Sequence, residues 1–158
     1  MKPRTSILIA PALALFLAAC SNSGASTVPP QGGAPSVQSS AAPEAVAVSL
    51  NQWSVAASTN TYAAGPVTFT ATNDGTMDHE FVVLRTKTSS ADIPVGSFEG
   101  EQGRINEDTA GTNVGETGDL IAGATKTLTV DLKPGHYVFF CNLPGHYESG
   151  MHVDVTVT

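Results

Sequence analysis

Cysteine, histidine, methionine and basic residues are all scarce in this chain. Its 158 residues include two Cys, four His and three Met, with seven Lys plus Arg against fourteen Asp plus Glu. That balance makes nucleic acid and bare anionic lipid poor partners. Charged residues make up only 13% of the chain, and Gly, Thr, Val and Ala are abundant, which favours a β-rich domain. No convincing helical period is present, and no apolar run makes a good membrane span. The length suits one ordinary domain with accessory segments, and a second catalytic domain is not expected.

The N-terminus has the layout of an export signal. Lys2 and Arg4 precede the apolar, Pro-interrupted run "ILIAPALALFLAA", and small residues follow. "LAAC", Leu17 to Cys20, resembles the lipobox of bacterial lipoproteins, in which the Cys is acylated and becomes the new N-terminus. That resemblance implies removal of residues 1–19, a lipid on Cys20 and a mature protein held on a membrane face outside the cytoplasm. An ordinary signal peptide with a free Cys nearby is the plainer alternative. Without Lys2 and Arg4 the mature chain carries about −9 formal charges, which suits a partner with a basic patch. With Cys20 lipidated, Cys141 has no intramolecular disulfide partner.

Residues 20–45 read as the lipidated Cys followed by a Ser, Ala, Pro and Gly tether without aromatics, too poor in apolar surface to fold. Such a chain spans roughly 25–30 Å. From Val46 to Thr158 the pattern is that of strands. Val46, Val48 and Leu50 alternate with polar or small residues, as do Val67, Phe69 and Ala71 ahead of the turn residues "NDG". "EFVVLRT", Glu80 to Thr86, is apolar on both faces and reads as a central strand. "TKTLTVDLKPG", "HYVFF" and "HVDVTVT" supply three more. The stretch from Lys87 to Gly123 is polar and Gly-rich, with apolar residues too scattered to assign. Six or more strands parted by turns predict an all-β domain, an antiparallel Greek-key sandwich or barrel over residues 46–158.

The scarce residues gather in "CNLPGHYESGM", Cys141 to Met151, a loop expected between the last two strands. A soft thiolate, an imidazole and a thioether together suit copper, and two His, one Cys and a weak axial Met form an electron-transfer geometry for that metal. His79, opening the third strand after a turn, is the best candidate for the second imidazole. His136 and His152 alternate away from the loop's facing direction and read as surface residues. Met77 is a further soft donor, but one axial Met already completes the set. A buried structural Cys, a turn His and a core Met are the bland readings of these ligands.

The C-x4-H-x4-M spacing with an isolated upstream His on a β-domain resembles the type 1 blue copper proteins, or cupredoxins. The loop looks most like those of auracyanin and rusticyanin, and "DHEFVVL" looks like the "HEF" of small envelope cupredoxin-like proteins. The resemblance implies one mononuclear type 1 copper, with Cys141 as thiolate ligand, His79 and His146 as equatorial imidazoles and Met151 as axial ligand. Asp78 occupies the place where azurin-like members bring a backbone carbonyl near the metal. Glu80 stands where plastocyanin and azurin often have an Asn that braces the Cys loop, which puts that brace in doubt; Asn142 could take over part of it. Leu143, Pro144 and Tyr147, flanking His146, form a small docking face for electron exit, or simply pack the loop.

A monomeric, membrane-tethered carrier of single electrons in the cell envelope is therefore expected, not an enzyme, with transient redox partners such as a c-type cytochrome or a respiratory complex. The rival reading is an envelope protein that sequesters or delivers copper. Multicopper oxidases and nitrite reductases commonly need H-x-H pairs, which this chain lacks, and the binuclear site of terminal oxidases needs two Cys in the loop.

Overall fold

The computed structural model describes residues 44–158; the expected signal segment, Cys20 and the tether up to residue 43 lie outside the described residues. In chain order the strands are β1 (Glu44–Asn51), β2 (Ser54–Ala57), β3 (Thr61–Tyr62), β4 (Gly65–Asn73), β5 (Val82–Arg85), β6 (Val95–Phe98) and β7 (Glu101–Ile105). A single-turn helix α1 (Glu107–Ala110) precedes β8 (Thr112–Glu116), β9 (Thr125–Leu132), β10 (Gly135–Phe140) and β11 (His152–Val157). β1 begins at Glu44, slightly ahead of the expected domain start, because Glu44 and Ala45 already pair with Val67 and Thr68 of β4.

Two sheets form a sandwich, one ordered β2-β1-β4-β9 and the other β3-β11-β10-β5-β8. Most pairings are antiparallel as expected, but β1 runs parallel to β4 and β3 parallel to β11, so both sheets are mixed. Period-two alternation decides which side chains meet between them. Val46, Val48, Leu50, Val67, Phe69 and Ala71 point inward from the first sheet, against Phe81, Val83, Tyr137, Phe139, Val155 and Val157 of the second. At the centre, Phe69 packs edge-on against Phe81 and Phe139, with ring centroids 5.3 and 5.1 Å apart.

β5 is central, lying between β10 and β8. Its doubly apolar sequence has a physical cause: Phe81 and Val83 face the sandwich interior while Val82 and Leu84 face outward. Outward-facing Val138 and Phe140 of β10 join Val82, Leu84, Ile93, Ile105 and Tyr147 in a second buried cluster. The segment that could not be assigned from sequence provides its cover. It leaves the sheet after β5, makes a 3-10 turn at Ser90–Asp92, the β6–β7 hairpin and α1, and returns as β8. Among the described residues no helix is long and apolar enough to cross a membrane.

Candidate metal centre

His79, Cys141 and His146 come together at one end of the sandwich, and their donor atoms all lie within 4.8 Å of one another. All three residues are buried. Each is delivered by a different piece of local structure.

His79 sits between β4 and β5, where its backbone exchanges two hydrogen bonds with Leu120: His79 N–H to Leu120 O at 3.0 Å and Leu120 N–H to His79 O at 2.7 Å. The loop leading to it is stapled by Asn73, the fully buried last residue of β4. Its amide donates to Met77 O and Leu120 O, both at 2.8 Å, and its carbonyl oxygen accepts from Gly75 N–H at 2.9 Å. The sequence reading took this stretch only as turn chemistry. A usable signal was present: Asn73 follows Val67, Phe69 and Ala71 on the inward face, where a polar side chain has to find buried partners.

Cys141 follows β10 directly, and its N–H donates to Met151 O at 3.0 Å, while Met151 N–H donates to His146 O at 3.1 Å. Those bonds close the loop on itself, and the Met151 side chain is fully buried in the main core beside Cys141. His146 Nδ1 lies 3.3 Å from Cys141 Sγ and 3.2 Å from His79 Nδ1. The edge of Trp53, from the β1–β2 turn, covers His146 at 5.0 Å between ring centroids.

The donor set fits a soft cation. Burial holds His79 and His146 below the usual imidazole range, the first also through the other's charge and against the opposing pull of Asp78, which favours the uncharged form that offers a lone pair. The Nδ1 atoms of two imidazoles and a sulfur converge without a carboxylate among them. One proton cannot satisfy all of these contacts, whereas a soft cation would be held by the two imidazole nitrogens and the thiolate together. Burial pushes the Cys141 thiol up to about 11, partly offset by the Glu80 and Leu143 N–H groups, so a metal must displace its proton.

The brace that the sequence left in doubt is supplied by Glu80. Its N–H points at Cys141 Sγ at 3.4 Å, and its carboxylate accepts the Asn142 N–H at 2.9 Å. Burial lifts this carboxyl to about 7, with Arg104, 3.8 Å away, opposing the rise. Asn142 is also a brace: Oδ1 accepts Ile105 N–H at 2.8 Å, and Nδ2 donates to Ile105 O at 3.1 Å and Glu107 Oε1 at 2.8 Å.

Asp78 is exposed. Of the expected docking face, Pro144 is exposed and Leu143 half-buried. Tyr147 is not part of that face: it is 3% exposed, its hydroxyl donates to Ser90 O at 2.7 Å, and its ring lies between Phe140 and His152. Its apolar ring gains more from the second core cluster than from solvent. His136 and His152 stand apart from the donor cluster and are half-buried rather than free on the surface, the first bonded to Asp154 at 2.9 Å, the second stacked on Tyr147.

The family model for the sulfocyanin (SoxE) domain matches residues 39–158. In fold the chain is similar to dithionite-reduced auracyanin from Roseiflexus castenholzii, with 23% identity, 73% of this chain and 96% of that chain covered, and a TM-score of 0.53. It is likewise similar to auracyanin A of Chloroflexus aurantiacus, described as a "blue" copper protein (15% identity, 74% and 100% covered, TM-score 0.52). Reduced rusticyanin aligns at 18% identity over 72% of this chain and 78% of its own, with a TM-score of 0.51. No curated protein sequence matches the chain significantly. These structural likenesses carry the cupredoxin fold; the family match covers most of the sequence, and the chain belongs to the sulfocyanin (SoxE) domain family, a blue copper cupredoxin with one type 1 site.

Proposed function

We propose that the protein is an electron carrier, not an enzyme, in which Met151 adds a weak fourth ligand to His79, Cys141 and His146. The observation that carries this reading is the preset, closed donor loop: Cys141 N–H to Met151 O and Met151 N–H to His146 O hold the loop without help from a metal. Bound copper supplies a one-electron couple. The chain's own residues keep the donors in one arrangement, and burial of Cys141 and Met151 excludes water. Small structural change between charge states is what a carrier needs.

Electron exit through His146 is supported by its position under Trp53. Trp53, Met77 and Ile121 are the exposed large hydrophobic residues among those described, at 42, 44 and 68% exposure. Each lies on a loop at the donor end: the β1–β2 turn, the β4–β5 connection that bears His79, and the residue after Leu120. With exposed Pro144 they give the partner apolar groups to meet, and weak redox encounters need only a small interface. The acidic balance favours a partner with basic residues around its own site, such as a c-type cytochrome. In the cell the domain would be a monomer tethered through lipidated Cys20 to a membrane face outside the cytoplasm, periplasmic or on the cell surface.

The test is electron exchange by the copper-loaded full chain. Reversible voltammetry and rapid, salt-sensitive exchange with a basic c-type cytochrome are expected. Slow exchange combined with rapid transfer of Cu(I) to a chelator would instead establish copper delivery, the rival reading.

A further inference from the structure

Residues between β5 and β8 make an excursion that adds nothing to the inner core yet touches the donor loop at three places. Asn142 is gripped from both ends of its amide by Ile105 and Glu107. Gly145 N–H donates to Gly103 O at 2.9 Å. Tyr147 O–H donates to Ser90 O at 2.7 Å. These three loop residues bracket His146 on both sides, and none of the contacts involves a donor atom.

The excursion itself is tied down independently of the loop. Ile93 and Ile105 are buried against the outer face of β5 and β10. Ser90 is held by Asp154 of β11, which accepts its N–H at 2.8 Å and its hydroxyl at 2.7 Å. Gly103 has φ +78, and a Cβ there would lie 2.8 Å from Gly145 N, closer than side chains approach. The close approach at this point therefore requires glycine.

We propose that this excursion is a positioning clamp for the donor loop, acting through Ile105 and Glu107 on Asn142, Gly103 on Gly145, and Ser90 on Tyr147, so that His146 is fixed relative to Cys141 before metal enters. What the clamp serves rests on the copper reading; the contacts themselves need no metal. Gly103 and Tyr147 are positioning residues, since they act on His146 only through the loop backbone. The loop's own backbone bonds close it on itself but do not tie it to the packed outer face of the second sheet, so without the clamp its local opening would cost less. The clamp converts it into an extension of the second buried cluster.

The test compares the full chain with Tyr147→Phe, which deletes one hydroxyl from a buried ring, and with Gly103→Ala. In metal-free protein, amide exchange at His146 and Met151 should accelerate roughly five- to tenfold in Tyr147→Phe and more in Gly103→Ala, as expected for a lost hydrogen bond. Exchange at Val67 and Phe69 in β4 should stay unchanged. With Cu(II) added, the thiolate-to-copper band should change in energy or intensity ratio in both variants. Unchanged exchange at His146 and Met151, equal acceleration in β4, or a band identical to that of the parent chain would each overturn the clamp. A parent chain that gives no such band refutes the copper reading alone, and the exchange data then decide the clamp.

Discussion

Replacing Asn73 by Ala should loosen His79 without touching it. The Asn73 side chain makes three hydrogen bonds, to Met77 O, Leu120 O and Gly75 N–H, each between 2.8 and 2.9 Å, and is fully buried. At about 1 kcal/mol net per neutral bond, deletion costs about 3 kcal/mol. The extra penalty for orphaned groups is small: Leu120 O still accepts the His79 N–H, and Met77 is exposed enough for water to reach its backbone. Urea unfolding of the metal-free chain followed by fluorescence would read this as a midpoint lowered by about 1–3 M with an unchanged slope. Copper affinity should fall as well, because the ordering of the loop from Asp74 to Asp78 must then be supplied by metal binding. A loss under about 1 kcal/mol, or full stability loss with copper affinity intact, would refute the view that Asn73 presents His79.

Phe69→Ala should destabilise the domain by about 4 kcal/mol in the same assay, since the ring is fully buried amid Tyr62, Phe81 and Phe139; a loss below about 2 kcal/mol would mean the two sheets can close over the gap. Trp53→Ala should leave thermal stability nearly unchanged but slow electron exchange with a partner at least fivefold, the effect of removing an interface Trp worth about 1 kcal/mol. Burial would raise the Asp154 carboxyl, but bonds from Ser90 and His136 outweigh it and hold it below the usual carboxylate value. Its stabilising effect is therefore present above the unfolded-chain value and is lost as pH falls through the lower folded value. Asp154→Asn should lower the melting temperature at neutral pH and flatten the acid limb of its pH dependence; an unaltered acid limb would show that the pair contributes nothing.

Cys141 and His146 were legible because their chemistry is local in sequence: with Met151, the proposed fourth ligand, they share one short loop whose spacing suggests a common centre. His79 could be joined to it because an imidazole at the mouth of a strand is uncommon in so His-poor a chain. β1 and β4 were legible through strict alternation, whereas the parallel pairing of β1 with β4 depends on which edges meet and leaves no mark on either strand. The Lys87–Gly123 region resisted reading because its apolar residues serve a small outer cluster, with Ile93 and Ile105 widely separated and no period between them. Tyr147 takes the packing alternative rather than the docking one for the same reason: Phe140 belongs to that cluster, and Ser90 lies in the segment that covers it. Glu80 departed from the borrowed pattern, yet a carboxylate oxygen accepts the Asn142 N–H as an amide oxygen would.

The central claim is that His79, Cys141 and His146 bind one copper through the thiolate. Titrating the metal-free full chain with Cu(II) while recording the visible spectrum tests it most directly. An intense thiolate-to-copper band that saturates at one equivalent, and is absent in Cys141→Ser, is the predicted result. A colourless complex, or a band that survives in Cys141→Ser, would contradict it.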